Sequence, residues 1–245
     1  MGSNPASRAI LPLPTVRLLG MDLAQIAQTV SIYALPVLLA ITLHEAAHGY
    51  AAKRFGDLTA ERAGRISLNP FSHIDPIGTI LVPIGLYIMT AGAFLFGYAK
   101  PVPVNFGALR HPKHDMIWVA LAGPASNLFQ AVVWACLFIL LKAFDIQEPF
   151  FTAVARAGIL VNVVMFVFNL LPLPPMDGGR ILVGLLPWRA AMAVSRVEPY
   201  GFVILLALLL AGFISDWWMR PLMSLTYQAL DWIVWPLRLL LSWAL

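Results

Sequence analysis

The sequence predicts an all-α polytopic membrane protein. It should have about five transmembrane helices, a re-entrant or interfacial segment, and scope for a short membrane-associated β-element after the helix carrying His44-Glu45-Ala-Ala-His48. Three observations carry this. Hydrophobic residues make up 60% of the chain and charged residues only 11%, with a mean hydropathy of +0.81, which excludes an ordinary soluble domain. Several apolar stretches approach the roughly 20 residues needed to cross a bilayer. The net charge of +4 is spread as loop Lys and Arg. That fits contact with lipid headgroups and no nucleic-acid partner. Cys136 is the single cysteine, so an internal disulfide and a cysteine-rich zinc site are both excluded.

Residues 1–21 read as a loose N-terminal tail without the pattern of a signal peptide. Asp22 is placed to cap a helix starting near Leu23. That helix passes Pro36, carries the two histidines near its end, and stops at Lys53, Arg54 and Gly56. Residues 57–76 are polar and turn-rich, and Arg65-Ile66-Ser67-Leu68 alternates in the manner of a strand. Residues 77–96 are apolar but broken by Gly78, Pro83, Gly85 and Gly92, and 98–105 should be extended or turned. Long apolar runs follow at 116–141 and 152–171. The second ends in Asn169-Leu-Leu-Pro-Leu-Pro-Pro-Met-Asp-Gly-Gly179, whose prolines stop a regular helix. A short helical turn is expected at 180–186, with helices at 199–214 and 223–245, the last bearing an interfacial tryptophan belt.

The chemistry gathers on His44, Glu45 and His48. Positions i and i+4 share one helix face, so the two histidines can grip one metal ion while Glu45 reaches a water as general base. A buried lone histidine is ordinarily structural, but two such residues with a glutamate between them are costly inside a membrane without a ligand. Catalytic zinc takes three protein ligands. Asp177, after the broken helix end, is the favoured third ligand, with Asp75 and Glu61 as alternatives in polar stretches. His73, His111 and His114 read as loop or interface residues.

His44-Glu45-x-x-His48 in a membrane helix, Gly123-Pro124-x-x-Asn127, and Asn169-x-x-Pro-x-x-x-x-Asp177-Gly178 together resemble the site-2 protease family of intramembrane zinc metalloproteases. The resemblance spans about residues 35–186 and is closest to short bacterial members, without a PDZ insertion or a nucleotide-sensing module. It implies one Zn2+ held by His44, His48 and Asp177, with Glu45 as the catalytic base. It also implies that Asn169 holds the substrate backbone. Asn127 is carried as a substrate-binding candidate, beside an equal expectation that its amide simply bonds another helix. The implied activity is hydrolysis of peptide bonds in or near transmembrane segments of a membrane protein or peptide substrate, in contact with membrane lipid. The chain is then a single integral-membrane protease domain over 1–245, with its catalytic core at 22–186 and additional helices at 187–245.

Topology follows from the shared ion. The histidine helix and the helix before Asp177 must end on one side, so 77–96 crosses zero times. The positive-inside rule puts Lys53, Arg54, Arg62, Arg65, Lys100, Arg110 and Lys113 in the cytoplasm. The zinc site then lies nearer the cytoplasmic side of a bacterial cell membrane. Residues 65–69 are expected to pair with an unwound substrate as an added strand. The alternative is a membrane metal-binding or metal-carrying protein without proteolytic activity. A carrier should spread its ligands along a path, often across two repeats.

Overall fold

The computed structural model describes residues 17–18, 21–82, 85 and 99–244. It begins with a minimal antiparallel pair, β1 (Arg17–Leu18) and β2 (Met21–Asp22). The helices are α1 (Leu23–Arg54), α2 (Thr59–Arg62), α3 (Pro112–Ala143), α4 (Pro149–Asn169), α5 (Asp177–Leu185), α6 (Trp188–Ser195), α7 (Glu198–Leu210) and α8 (Arg220–Ala244).

Among the described residues three helices, α1, α3 and α4, are long and apolar enough to cross a membrane. A fourth span exists if α6 and α7, bent by 66° at a short break, count as one. The expectation was about five. Two features account for the difference. Helix α7 has 13 residues and ends before Gly212, whose φ is +75°; it rises only about 20 Å against a hydrocarbon core of about 30 Å. Helix α8 is long, but Arg220, Asp231 and Arg238 recur along it. It is amphipathic. Leu230, Val234 and Thr226 face inward, while Trp232, Trp235 and Trp243 are exposed.

Helix α1 packs on α3 and α4, α3 also on α5, and α8 closes over α3 and α4. One core joins Ala131, Val163, Val167 and Leu230, with Met223 and Tyr227 against it. A second, at the histidine end, joins Ala52, Leu109 and Val119. Helix α1 and the segment before α3 meet there, since Arg110 N–H donates to the Phe55 carbonyl at 3.0 Å. The two flanks of 77–99 also meet. Lys100 N–H donates to the His73 carbonyl at 3.0 Å. Pro76–Leu81 forms a π-type turn capped by Asp75, which accepts from Ile77 N–H and Gly78 N–H. The remainder of 77–96 lies, apart from 82 and 85, outside the described residues.

Arg65–Leu68 is not a strand. Its backbone turns back on α2, with Arg65 N–H on the Ala60 carbonyl. The Arg65 guanidinium reaches across to the Lys100 carbonyl at 3.0 Å. Ile66 seats against Gly49. Side-chain contacts therefore hold this segment where a ladder was expected.

Candidate metal centre

The last third of α1 brings His44 and His48 to one face, and both are buried. Their tautomers follow from their partners. His48 Nδ1–H donates to the Val119 carbonyl at 2.7 Å, and a carbonyl can only accept. Asn127 Nδ2 donates to the Ala40 carbonyl at 3.2 Å, which turns Asn127 Oδ1 toward His44. His44 Nδ1–H therefore donates to that oxygen, at 2.6 Å. In the neutral form of each ring, the form that binds a metal, the lone pair then falls on Nε2.

The two Nε2 atoms lie 3.1 Å apart, and each is 3.3 Å from Asp177 Oδ2. Asp177 is buried at the start of α5, and its Oδ2 is without a hydrogen-bond partner. With both rings neutral, three buried electron-pair donors thus converge with no proton between them. Left so, they repel and are poorly solvated. A cation relieves both problems, and this His-His-Asp group has the donor set of a catalytic zinc site.

The bundle is shaped to admit these rings. Val119, Gly123 and Asn127 recur at every fourth position of α3 and so share one face. A Cβ at Gly123 would lie 2.4 Å from His48 Nε2 and 2.6 Å from His44 Cε1. Only glycine leaves that space. Pro124 has no N–H to give the Ala120 carbonyl, which loosens the helical turn beside the Val119 carbonyl. Asp177 is held by tight backbone packing. A Cβ at Gly178 would lie 2.1 Å from the Leu170 carbonyl oxygen, and one at Gly179 would lie 2.3 Å from Pro174 N. The two glycines let the first turn of α5 fold against the proline-rich turn after α4.

Glu45 is half-buried, and its Oε2 accepts the Val102 N–H at 2.7 Å. The extended segment supplying that donor is tied at several points. Lys100 bonds His73 and Arg65, and Asn105 N–H donates to Asp57 Oδ2 at 2.7 Å. Asn169 Nδ2 donates to the Met165 carbonyl of its own helix at 2.9 Å. The alternative third ligands are engaged elsewhere: Asp75 caps the π-type turn, and Glu61 pairs with Lys53 at 2.5 Å. Among the described residues His73, His111 and His114 do not join the cluster.

Residues 143–212 match Peptidase family M50, the site-2 protease family. Over 177 residues, 70% of this chain and 77% of the relative, the sequence is 41% identical to "Putative zinc metalloprotease YwhC" of Bacillus subtilis (strain 168). The chain belongs to peptidase family M50. A second relative, "Putative zinc metalloprotease Rip2" of Mycolicibacterium smegmatis, is 32% identical over 74% of this chain and 67% of its own length. The Rip2 of Mycobacterium tuberculosis (strain H37Rv) is 30% identical over 74% of this chain and 67% of its own length. No solved structure matches. The protein is thus an M50 zinc metalloprotease built on membrane-class helices.

Sequence reasoning missed the backbone groups: the Val119 carbonyl and the Val102 N–H leave no signature in residue type. It also missed Asn162, a fully buried amide in an apolar helix. An uncompensated asparagine at that depth was itself a signal.

Proposed function

We propose that this M50 enzyme is an intramembrane protease that hydrolyses peptide bonds in or near transmembrane segments, with His44, His48 and Asp177 holding the zinc and Glu45 as general base. The convergence of three buried ligand atoms beside Glu45 carries this reading. Zinc, when bound, supplies Lewis acidity that makes a water nucleophilic near neutral pH and stabilises negative charge on a substrate carbonyl. Glu45 provides the proton traffic. Its Oε2 is occupied by the Val102 N–H, which leaves Oε1 to take the proton of the attacking water and return it to the leaving amine. Val119 and Asn127 keep both imidazoles presenting Nε2. Asn169, at the end of α4, is placed to exchange its bond to its own helix for one to an extended substrate backbone.

The site lies toward the end of α1 that carries Lys53 and Arg54. By the positive-inside rule this is the cytoplasmic side of a bacterial membrane. His44 is nine residues from Lys53, roughly 13 Å along the helix, deep enough that a substrate helix must unwind locally to present a carbonyl.

The test is cleavage of a panel of single-span substrates by the purified full chain in detergent, with zinc content measured on each variant. Glu45→Gln is expected to keep zinc and lose activity by about 10²- to 10⁴-fold. Asp177→Ala is expected to lose zinc. Full activity in Glu45→Gln would overturn the base assignment, and full zinc in Asp177→Ala the ligand assignment.

A further inference from the structure

Asn127 and Asn162 are both 0% exposed, in the middle of helices α3 and α4. Burying an amide in an apolar bundle is costly unless its bonds are met, and here nearly all are. Asn127 Oδ1 accepts from His44 at 2.6 Å. Asn127 Nδ2 donates to the Ala40 carbonyl at 3.2 Å and to Asn162 Oδ1 at 3.0 Å. Asn162 Nδ2 donates to the Gly158 carbonyl at 2.9 Å. The series ends on a carbonyl, which can only accept, so the direction of every bond before it is set.

We propose that Asn127 and Asn162 form an amide relay that locks the tautomer of His44, with Asn162 a positioning residue acting through Asn127. This rests on His44 being a zinc ligand. The alternative orientation of the Asn127 amide, rotated by half a turn, would present Nδ2 to the ring. His44 would then need its lone pair on Nδ1 and its proton on Nε2, the atom that faces Asp177. That tautomer cannot bind a metal there. Rotation would also face Oδ1 toward the Ala40 carbonyl and Asn162 Oδ1, two acceptors. Ala40 alone would oppose it weakly, across a long bond; Asn162 adds the shorter one. The relay thus joins α1, α3 and α4 at the one point where their alignment decides the chemistry of a ligand. Ordinary interhelical glue would act on stability and not on that choice.

The experiment measures zinc affinity of the full chain in detergent by chelator competition, with thermal unfolding of each metal-free variant alongside. Asn127→Leu is expected to weaken zinc by about 10- to 100-fold. Asn162→Leu should weaken zinc about fivefold, the share of one hydrogen bond. In the Asn127→Leu background it should add nothing, because its path to His44 is gone. Equal losses from Asn162→Leu in both backgrounds would mark a merely structural role and overturn the relay. If Asn127→Leu does not fold, Asn162→Leu against Asn162→Ser decides. The serine hydroxyl can bond its own helical carbonyl and still accept from Asn127. It should restore affinity, and failure to do so overturns the proposal. His44→Ala separates the two levels. Wild-type affinity there overturns the ligand reading, whereas loss there with wild-type affinity in both leucine variants overturns the relay alone.

Discussion

A single methyl group at Gly123 should strip the enzyme of its metal. In Gly123→Ala the new Cβ stands 2.4 Å from His48 Nε2 and 2.6 Å from both His44 Cε1 and His48 Cε1. Ordinary contact begins near 3.4 Å, so each ring must retreat by nearly 1 Å (3.4 − 2.4 = 1.0 for His48 Nε2). Metal-ligand distances tolerate only about 0.2 Å. Both rings are also tied by Nδ1 to the helix that carries the methyl, through Val119 and Asn127, so they cannot swing away without breaking those bonds. Disturbing a hydrogen-bond partner of a ligand already costs about 10- to 100-fold in affinity. Moving two ligands at once should cost at least about 100-fold, or about 2.7 kcal/mol. The fold should suffer less. Overpacking costs about 1–3 kcal/mol, offset by up to about 1 kcal/mol from replacing a helical glycine with alanine. The assay is chelator-competition zinc binding beside thermal unfolding of the metal-free protein. Wild-type zinc affinity in a folded Gly123→Ala would refute the claim that this glycine exists to admit the histidine rings.

Two further predictions concern the segments around the site. Val102→Pro removes the N–H that holds Glu45 Oε2; cleavage should fall at least about tenfold with zinc content unchanged, whereas Val102→Ala, which keeps the donor, should remain active. Asp57 is enclosed beyond the end of α1, which alone would raise its carboxyl. The Thr59 hydroxyl and N–H, the Asn105 N–H and the Arg62 charge outweigh that and hold it below the usual carboxylate range. A group depressed on folding stabilises above its unfolded value, near pH 3.9, and loses that contribution as pH falls from there through its lower folded value. Asp57→Asn should therefore cost about 2 kcal/mol at neutral pH and flatten the acid limb of stability against pH. An unchanged acid limb in unfolding melts would count against the assignment.

Much of the helical frame could be read before any coordinate. The start of α1 at Leu23, its end at Lys53-Arg54, and the proline stop after Asn169 follow from local rules of capping, charge and missing N–H groups. Apolar composition likewise placed α3 and α4 to within a few residues at each end. Local rules failed where a partner decides. Arg65–Leu68 alternates like a strand yet has no ladder, because alternation records a half-buried surface and not who covers it. Residues 199–214 and 223–245 read as two helices, the first short for a span and the second interfacial or tilted, and both enter the expected count of about five. The structure gives a short helix ending before Gly212 and an amphipathic helix laid on α3 and α4, and which surface α8 covers is what the letters did not say.

The sequence by itself determined the membrane class, the pairing of His44 with His48 on one helical face, and the presence of Glu45 between them. Those are consequences of composition and of a 3.6-residue period, and they need no tertiary contact. Only the tertiary structure decided that Asp177, and not Asp75 or Glu61, reaches the histidines. It also decided that Gly123 makes their space, that the Val119 carbonyl and Asn127 bond the two histidines with Asn162 bonded to Asn127, and that the Val102 N–H bonds Glu45. The distance from residue 44 to residue 177 is a property of how α1, α3 and α5 pack. Backbone donors and acceptors are the same in every residue type, so nothing in the letters marks which of them will be used.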